Sequence, residues 1–140
     1  MATELRESTF DDFTQLNLHP KNIEEIKVSS GIDPTLCLAI LWEHSIEKVT
    51  VFVNDKPVCL FGIVKPNNFW LFFSADVIEL PLSFFKESRK MVKRIHEVYG
   101  FVEGRIYEKN TFALEWAKFV GWTIDPLADG FYRFYCGKEG

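Results

Sequence analysis

The chain has 140 residues, a formal net charge of −4, and 47% hydrophobic and 16% aromatic residues. This length fits one domain, and the apolar content supports a buried core and argues against intrinsic disorder. The acidic balance argues against a general nucleic-acid binder. No apolar run reaches the roughly 20 residues that span a bilayer, and the N-terminus lacks a signal-peptide pattern. We therefore expect one cytoplasmic domain over residues 1–140.

The first third of the chain predicts a strand followed by short helices. Residues 3–8 have the length of a strand, and Thr9 is placed to cap the helix TFDDFTQL. Pro20 stands where a helix favours its first residue, and Asp33 followed by proline marks the start of another helix.

A change of period after Ile46 predicts strands. The segments VTVFV and PVCLFGIV, joined by NDK, indicate a tight hairpin, and FWLFFS (residues 69–74) is a buried strand. A loop, ADVIELPL, follows, and Ser83 is predicted to cap a long helix that Gly100 ends. Its core-facing side is predicted to carry Phe84, Ser88, Met91, Ile95 and Val98.

The C-terminal third predicts strand, helix, and one or two further strands. FVEGRIY is a strand, and residues 110–120 form the last helix, with Gly121 at its end. Residues 122–136 supply the remaining strand or strands. Because the long helix lies between FWLFFS and FVEGRIY, these two strands are expected to run parallel.

The last predicted helix carries a recognisable pattern. Asn110, Ala113, Gly121 and Trp122 have the spacing found in GNAT N-acetyltransferases, and the whole element order resembles that fold over nearly the entire chain. The resemblance implies an α/β domain with a mixed, twisted sheet of about six strands and helices on both faces. The family places a catalytic tyrosine seven residues after the asparagine, where this chain has Ala117.

The resemblance also implies a binding site for acetyl-CoA or CoA. GNAT enzymes bind the pyrophosphate with a glycine-containing loop before the long helix, but the corresponding loop here, SADVIELPLSFFK, contains no glycine. Free backbone N–H groups of Phe84, Phe85 and Lys86, together with the charge of Lys86, could replace it. Asn110 is also expected to cap its helix. The predicted cofactor-binding residues are Ser74, Ala75, Ser83, Phe84, Phe85, Lys86 and Asn110.

Two residues are predicted to be catalytic. A tyrosine suits protonation of a leaving thiolate, and Tyr107, at the end of the strand before Asn110, is the best substitute by position. Glu79, in the loop after FWLFFS, is the first candidate for a general base. The weaker alternatives, which are more often packing or surface residues, are Tyr132, Tyr135, Asp76 and Glu103.

Other reactive or charged residues favour ordinary structural interpretations. The cysteines Cys37, Cys59 and Cys136 are widely spaced and predict reduced thiols, and no histidine has metal-ligand spacing. The basic residues of FFKESRKMVKRIHEVYG indicate a solvated face, with binding of an anion or an acidic partner as alternatives.

A narrower resemblance is to small GNAT-like proteins of tailed bacteriophages, some of them internal virion proteins. The similar segments are IEEIKVSSGIDP, VNDKPVCLFGIV and FFKESRKMVKRIHEVYG. This resemblance implies the cytoplasm of an infected bacterium, or the virion, as the location, and a host bacterial protein as a partner.

The leading interpretation is a phage-type protein that binds acetyl-CoA or CoA and acetylates an amine of a host protein or small molecule. The alternative is a non-catalytic interaction protein on the same scaffold, which binds a host enzyme or is packaged in the virion. The missing glycine loop and Ala117 favour the alternative. The sequence therefore leaves open whether the protein is an enzyme.

Overall fold

A computed structural model describes residues 3–75, 80–126 and 130–137. Within these residues the strands are β1 (Thr3–Glu7), β2 (Ser45–Val53), β3 (Lys56–Val64), β4 (Asn68–Phe73), β5 (Val102–Tyr107), β6 (Thr123–Pro126) and β7 (Phe131–Cys136). The helices are α1 (Phe10–Gln15), α2 (Pro20–Ser29), α3 (Pro34–His44), α4 (Leu82–Tyr99) and α5 (Thr111–Phe119). The predicted α/β class is confirmed, with seven strands because the C-terminal segment forms two.

One mixed sheet joins all seven strands in the order β1-β2-β3-β4-β5-β7-β6. The pairs β1–β2, β2–β3, β3–β4, β5–β7 and β6–β7 are antiparallel, whereas β4 and β5 are parallel. The long helix α4 makes the crossover between β4 and β5, as the sequence predicts.

Helices cover both faces of the sheet, and the side chains of β4 alternate between the two. Phe69 and Phe73 belong to the core cluster beneath α4 and α5. Trp70 and Phe72 belong to a second cluster, which contains Ile26 of α2 and Leu38 of α3. Burial on both faces explains why FWLFFS is a continuous apolar run.

Local sequence signals account for several element ends. Thr9 forms a capping box at α1, Pro20 occupies the first turn of α2, and the Asp33 side chain accepts the Leu36 N–H at the start of α3. The hairpin turn between β2 and β3 places Asn54 and Asp55 at positive φ, as a tight two-residue turn requires.

Two predictions about α4 are wrong. The N-cap is Pro81, not Ser83, and the Ser83 hydroxyl instead lies 2.6 Å from the hydroxyl of Thr3 on β1. Val98 is 61% exposed, because the buried stripe passes from Ile95 to Tyr99, one helical turn further on.

All three cysteines lie in the described part of the chain. Cys37, Cys59 and Cys136 are free thiols. Among the helices described, none has both the length and the apolar character needed to cross a bilayer.

Gly104 permits the close approach of β5 to β4. A Cβ added there would lie 2.5 Å from the Phe134 ring and 2.6 Å from the carbonyl oxygen of Phe69 on β4. The Phe69 oxygen belongs to the backbone, so it cannot turn aside as a flexible side chain would. A residue without a side chain is therefore required where the two parallel strands meet.

We predict that Gly104→Ala lowers the free energy of unfolding by about 1–3 kcal/mol, as overpacking does. Chemical denaturation measures the change. Lys56→Ala, at an exposed strand position, serves as the control and should shift stability by less than about 0.5 kcal/mol. Equal stability of Gly104→Ala and the wild type would show that the contact between the strands is not tight.

Candidate functional site

The two parallel strands separate soon after they meet. Asn68 of β4 pairs with Glu103 of β5, and the Glu103 N–H donates to the Asn67 carbonyl at 3.0 Å. No later pair joins these strands in the part of the chain described. We call the space between them beyond this pair the strand gap. Backbone polar groups that face it need other partners.

A side chain of α2 satisfies the β4 side of the strand gap. The Asn22 Oδ1 atom accepts the Phe73 N–H at 2.9 Å, and its Nδ2 donates to the Leu71 carbonyl at 3.4 Å. Asn22 is 1% exposed. Its amide therefore bonds to β4 as the backbone of a neighbouring strand would.

The segment before α2 continues this pairing at the end of β4. The His19 N–H donates to the Phe73 carbonyl at 2.8 Å, and the Ala75 N–H donates to the Asn17 carbonyl. The Ser74 N–H points the other way and donates to Val58 of β3 at 2.9 Å. The N–H groups of the predicted cofactor residues Ser74 and Ala75 are thus both engaged.

Glu25, one helical turn after Asn22, satisfies the β5 side of the strand gap. Its Oε2 atom accepts the Tyr107 N–H at 2.8 Å and the Asn110 Nδ2 at 3.4 Å. Asn110 is buried, and its Oδ1 accepts the Ala113 N–H at 3.3 Å, so the predicted cap of α5 is confirmed. One helix face therefore bonds to both separated strands.

A cavity of about 150 Å³ lies at the strand gap. Its polar lining includes Glu25, Cys37, Arg105 and Asn110, and Trp70 is among its apolar walls. Burial raises the pKa of the Glu25 carboxyl above its ordinary value, although the hydrogen bonds from Tyr107 and Asn110 oppose this shift. A carboxylate with raised proton affinity thus stands beside a small cavity.

The predicted residues near the strand gap have different surroundings. Tyr107 is 8% exposed, and its ring lies 5.4 Å from that of Phe131 on β7. Ala117 is fully buried within the core cluster that contains Trp116 and Phe69. Position 117 therefore contributes to packing.

The start of α4 lies close to the end of β4, since the rings of Phe84 and Phe73 are 6.4 Å apart. The Phe84 N–H donates to the Pro81 carbonyl at 3.0 Å, so the expectation that this group is free is wrong. Phe85 packs edge-on against Phe84 and Phe119, whereas Lys86 is exposed.

The remaining predicted residues are dispersed or lie outside the described residues. Glu79 and Asp76 belong to residues 76–79, which the structure does not describe. Glu103 pairs with Arg133 at 3.0 Å on the sheet. Of the predicted residues that the structure describes, Tyr107 and Asn110 are the two that bond to Glu25 at the strand gap.

Sequence reasoning missed Asn22 and Glu25, which make the defining contacts. The available signal was their spacing of three residues on α2, beside the buried Ile26. Residues at this spacing share a helix face, so two polar side chains there predict buried polar contacts.

No protein-family model and no curated protein matches this sequence. Solved structures do match it. A GNAT-family acetyltransferase from Bacillus anthracis has a TM-score of 0.65 at 9% identity, covering 97% of this chain and 95% of that one. A Bacillus subtilis acetyltransferase in complex with CoA has a TM-score of 0.59 at 12% identity, covering 98% of both chains.

Another match is the Campylobacter jejuni N-acetyltransferase PseH in complex with acetyl coenzyme A. It has a TM-score of 0.56 at 19% identity, covering 99% of this chain and all of that one. These similarities show that the chain has the GNAT fold, which confirms the fold expected from the sequence.

We predict that Asn22→Ala lowers the free energy of unfolding by about 1–3 kcal/mol, because it leaves buried backbone groups of Phe73 and Leu71 unpaired. The measurement is urea denaturation. Asn17→Ala is the matched control, since Asn17 contacts β4 through its backbone and its residue is exposed. Equal stability of both variants would contradict the role of the Asn22 amide.

The raised pKa of Glu25 predicts a pH-dependent difference between the wild type and Glu25→Gln. A carboxyl whose folded-state pKa lies above its ordinary value of 4.5 contributes stability that is lost as pH rises through the folded-state value. The stability of the wild type relative to Glu25→Gln should therefore fall from pH 4 to pH 7. Denaturation at several pH values measures this; a constant difference would contradict the shift.

Proposed function

We propose that this protein binds acetyl-CoA and transfers its acetyl group to an amine. The observation that carries the proposal is the strand gap, with a cavity and a raised-pKa carboxyl beside it. The fold supports it, since several neighbours with this fold are acetyltransferases, and three of them are in complex with CoA or acetyl-CoA.

Acetyl transfer requires a donor for the thioester oxygen, on which negative charge develops. The Phe73 N–H of β4 is suited to this role, because it already donates to a carbonyl oxygen, that of the Asn22 side chain. The Asn22 Oδ1 and the oxygen of a thioester are both carbonyl oxygens, so a thioester could replace the Asn22 amide as the acceptor of the Phe73 N–H. Binding would then require the Asn22 side chain to leave the strand.

The phosphates of the cofactor would lie at the start of α4. Helix N-termini attract anions, and no side chain caps α4 among the described residues. Lys86 is exposed and adds a positive charge, while Ser83 and Phe85 occupy the same first turn. Ser74 and Ala75, which follow β4, would border the arm between the phosphates and the thioester.

Loss of the family tyrosine is compatible with transfer. An ordinary thiol has a pKa of about 8.5, so a CoA thiolate can leave near neutral pH with little assistance. Tyr107 is the proposed acid where assistance is needed, because it is the last residue of β5, three residues before Asn110. Glu79 follows β4 in the sequence and is retained as a proposed contributor to proton transfer.

A second candidate is a non-catalytic interaction protein on the same scaffold. The observation that favours it is the engagement of the β4 edge by the chain's own Asn22, His19 and Asn17. A second supporting feature is a set of exposed apolar side chains at the end of α2, in the connection that follows it and on α3: Val28, Ile32, Leu36 and Ile40. The resemblance to phage proteins makes a host bacterial protein the proposed partner, in the host cytoplasm or the virion.

The two candidates differ in their response to acetyl-CoA. If the protein binds acetyl-CoA, a concentration of 100 times Kd should raise the free energy of unfolding by about 2.7 kcal/mol. Thermal shift with acetyl-CoA, CoA and ATP in parallel measures this. No change in melting temperature at millimolar acetyl-CoA would overturn the cofactor proposal and favour the interaction protein.

A pair of variants tests where the phosphates bind. Lys86→Ala should weaken acetyl-CoA binding, because it removes the charge beside the start of α4. Lys56→Ala removes an equally exposed charge from the hairpin and should leave affinity unchanged. Equal affinity of both variants would place the phosphates elsewhere.

A further inference from the structure

We propose that Glu25 is the general base of the acetyl transfer, taking the proton of the acceptor amine as the amine attacks the thioester. This inference rests on the proposed function and assigns the base to α2. The sequence alone favours Glu79, in the loop after β4, as the base.

The structure fixes the orientation of the Glu25 carboxylate. Its Oε2 is held between the Tyr107 N–H at 2.8 Å and the Asn110 Nδ2 at 3.4 Å. Its Oε1 has no hydrogen-bond partner in the described part of the chain. One oxygen thus anchors the group to β5, the other has no such bond, and the residue lines the cavity.

Asn22 and Glu25 lie one helical turn apart on α2, and they bond to β4 and to β5 on the two sides of the strand gap. Residues three apart on a helix have Cβ atoms about 5–6 Å apart. An attacking nitrogen lies about 3–3.5 Å from the carbonyl carbon, and a base must lie within about 2.6–3.2 Å of that nitrogen. A thioester oxygen bonded to the Phe73 N–H would lie on the β4 side of the strand gap, and Glu25 is bonded to the β5 side of the same gap.

The surroundings of Glu25 favour uptake of a proton by its carboxylate. Burial raises its pKa, which increases its affinity for a proton. The ionisable groups that share its cavity or contact it are Arg105 and Tyr107 of β5 and Cys37 of α3. Arg105 forms no ion pair with a carboxylate among the described residues, so Glu25 has no fixed counter-charge.

The proposed step balances as follows. The amine nitrogen forms a bond to the acetyl carbon, and Oε1 of Glu25 takes the proton that the nitrogen loses. The carbon–sulfur bond breaks, and its electron pair leaves with the sulfur as CoA thiolate. The products are the acetylated amine, CoA thiolate and a protonated Glu25, which returns its proton to the thiolate or to solvent.

The test is the Glu25→Gln variant, which keeps an oxygen for the Tyr107 N–H and removes the base. Release of free thiol from acetyl-CoA is measured with spermidine, lysine and a lysine-containing peptide as acceptors. We expect kcat to fall by about 10²–10⁴-fold, as for loss of a general base. The melting shift with acetyl-CoA should be unchanged. Glu24 is the preceding residue, and its partly exposed side chain pairs with Lys21. The Glu24→Gln variant should retain full activity.

A pH profile separates catalysis from packing. For the wild type, kcat/KM should rise with pH as Glu25 ionises. For Glu25→Gln, this rise in kcat/KM should be absent, and kcat/KM should increase only at the higher pH at which the amine itself deprotonates. Glu25→Asp, which keeps the carboxylate, should still show the rise of kcat/KM with pH, but with lower values of kcat/KM. If Glu25→Gln has the same kcat and the same pH profile of kcat/KM as the wild type, the proposal is overturned.

The remaining outcomes distinguish this inference from the proposed function. If wild-type protein binds acetyl-CoA but acetylates none of these acceptors, the role of Glu25 is overturned and cofactor binding stands. If acetyl-CoA produces no melting shift at all, the proposed function itself fails, and the role of Glu25 fails with it.

Discussion

The separation of β4 from β5 is the constraint on which the rest of the structure depends. Two parallel strands that part within a sheet leave N–H and C=O groups without strand partners, and buried groups of this kind are costly. Here one face of α2 supplies the partners, with Asn22 on β4 and Glu25 on β5. The position of α2 and the width of the strand gap are therefore coupled.

Packing on both sides of the sheet supports this arrangement. Gly104 lets β5 approach the Phe69 carbonyl, and Phe134 fills the space above it. On one face the Phe69 ring lies 5.8 Å from Trp116 of α5, and on the other Ile26 anchors α2 in the second core. Both helices that border the strand gap are thus held by buried apolar contacts, which leaves the polar groups between them in a defined geometry.

The sequence predicts correctly those features of the fold that depend on residues close together in the chain. Caps at Thr9 and Asp33, the Asn54–Asp55 turn and the crossover through α4 are local patterns, and they are confirmed. The partners of Glu25 lie 82 and 85 residues away, so nothing local distinguishes it from a surface carboxylate. The sequence predicts Ser83 as the N-cap of α4, whereas the N-cap is Pro81. The Ser83 hydroxyl contacts Thr3 of β1, which is again a contact distant in sequence.

The chain has the GNAT fold, but its sequence has Ala117 where the resemblance to that family places a tyrosine. At position 117 an alanine is buried in the core, so α5 contributes packing and the Asn110 cap. The polar groups at the strand gap come instead from α2. The sheet creates the gap, whereas the helix that borders it determines which chemical groups face it. A change in α2 can therefore alter the chemical groups at the strand gap without altering the fold, and the fold alone does not determine function.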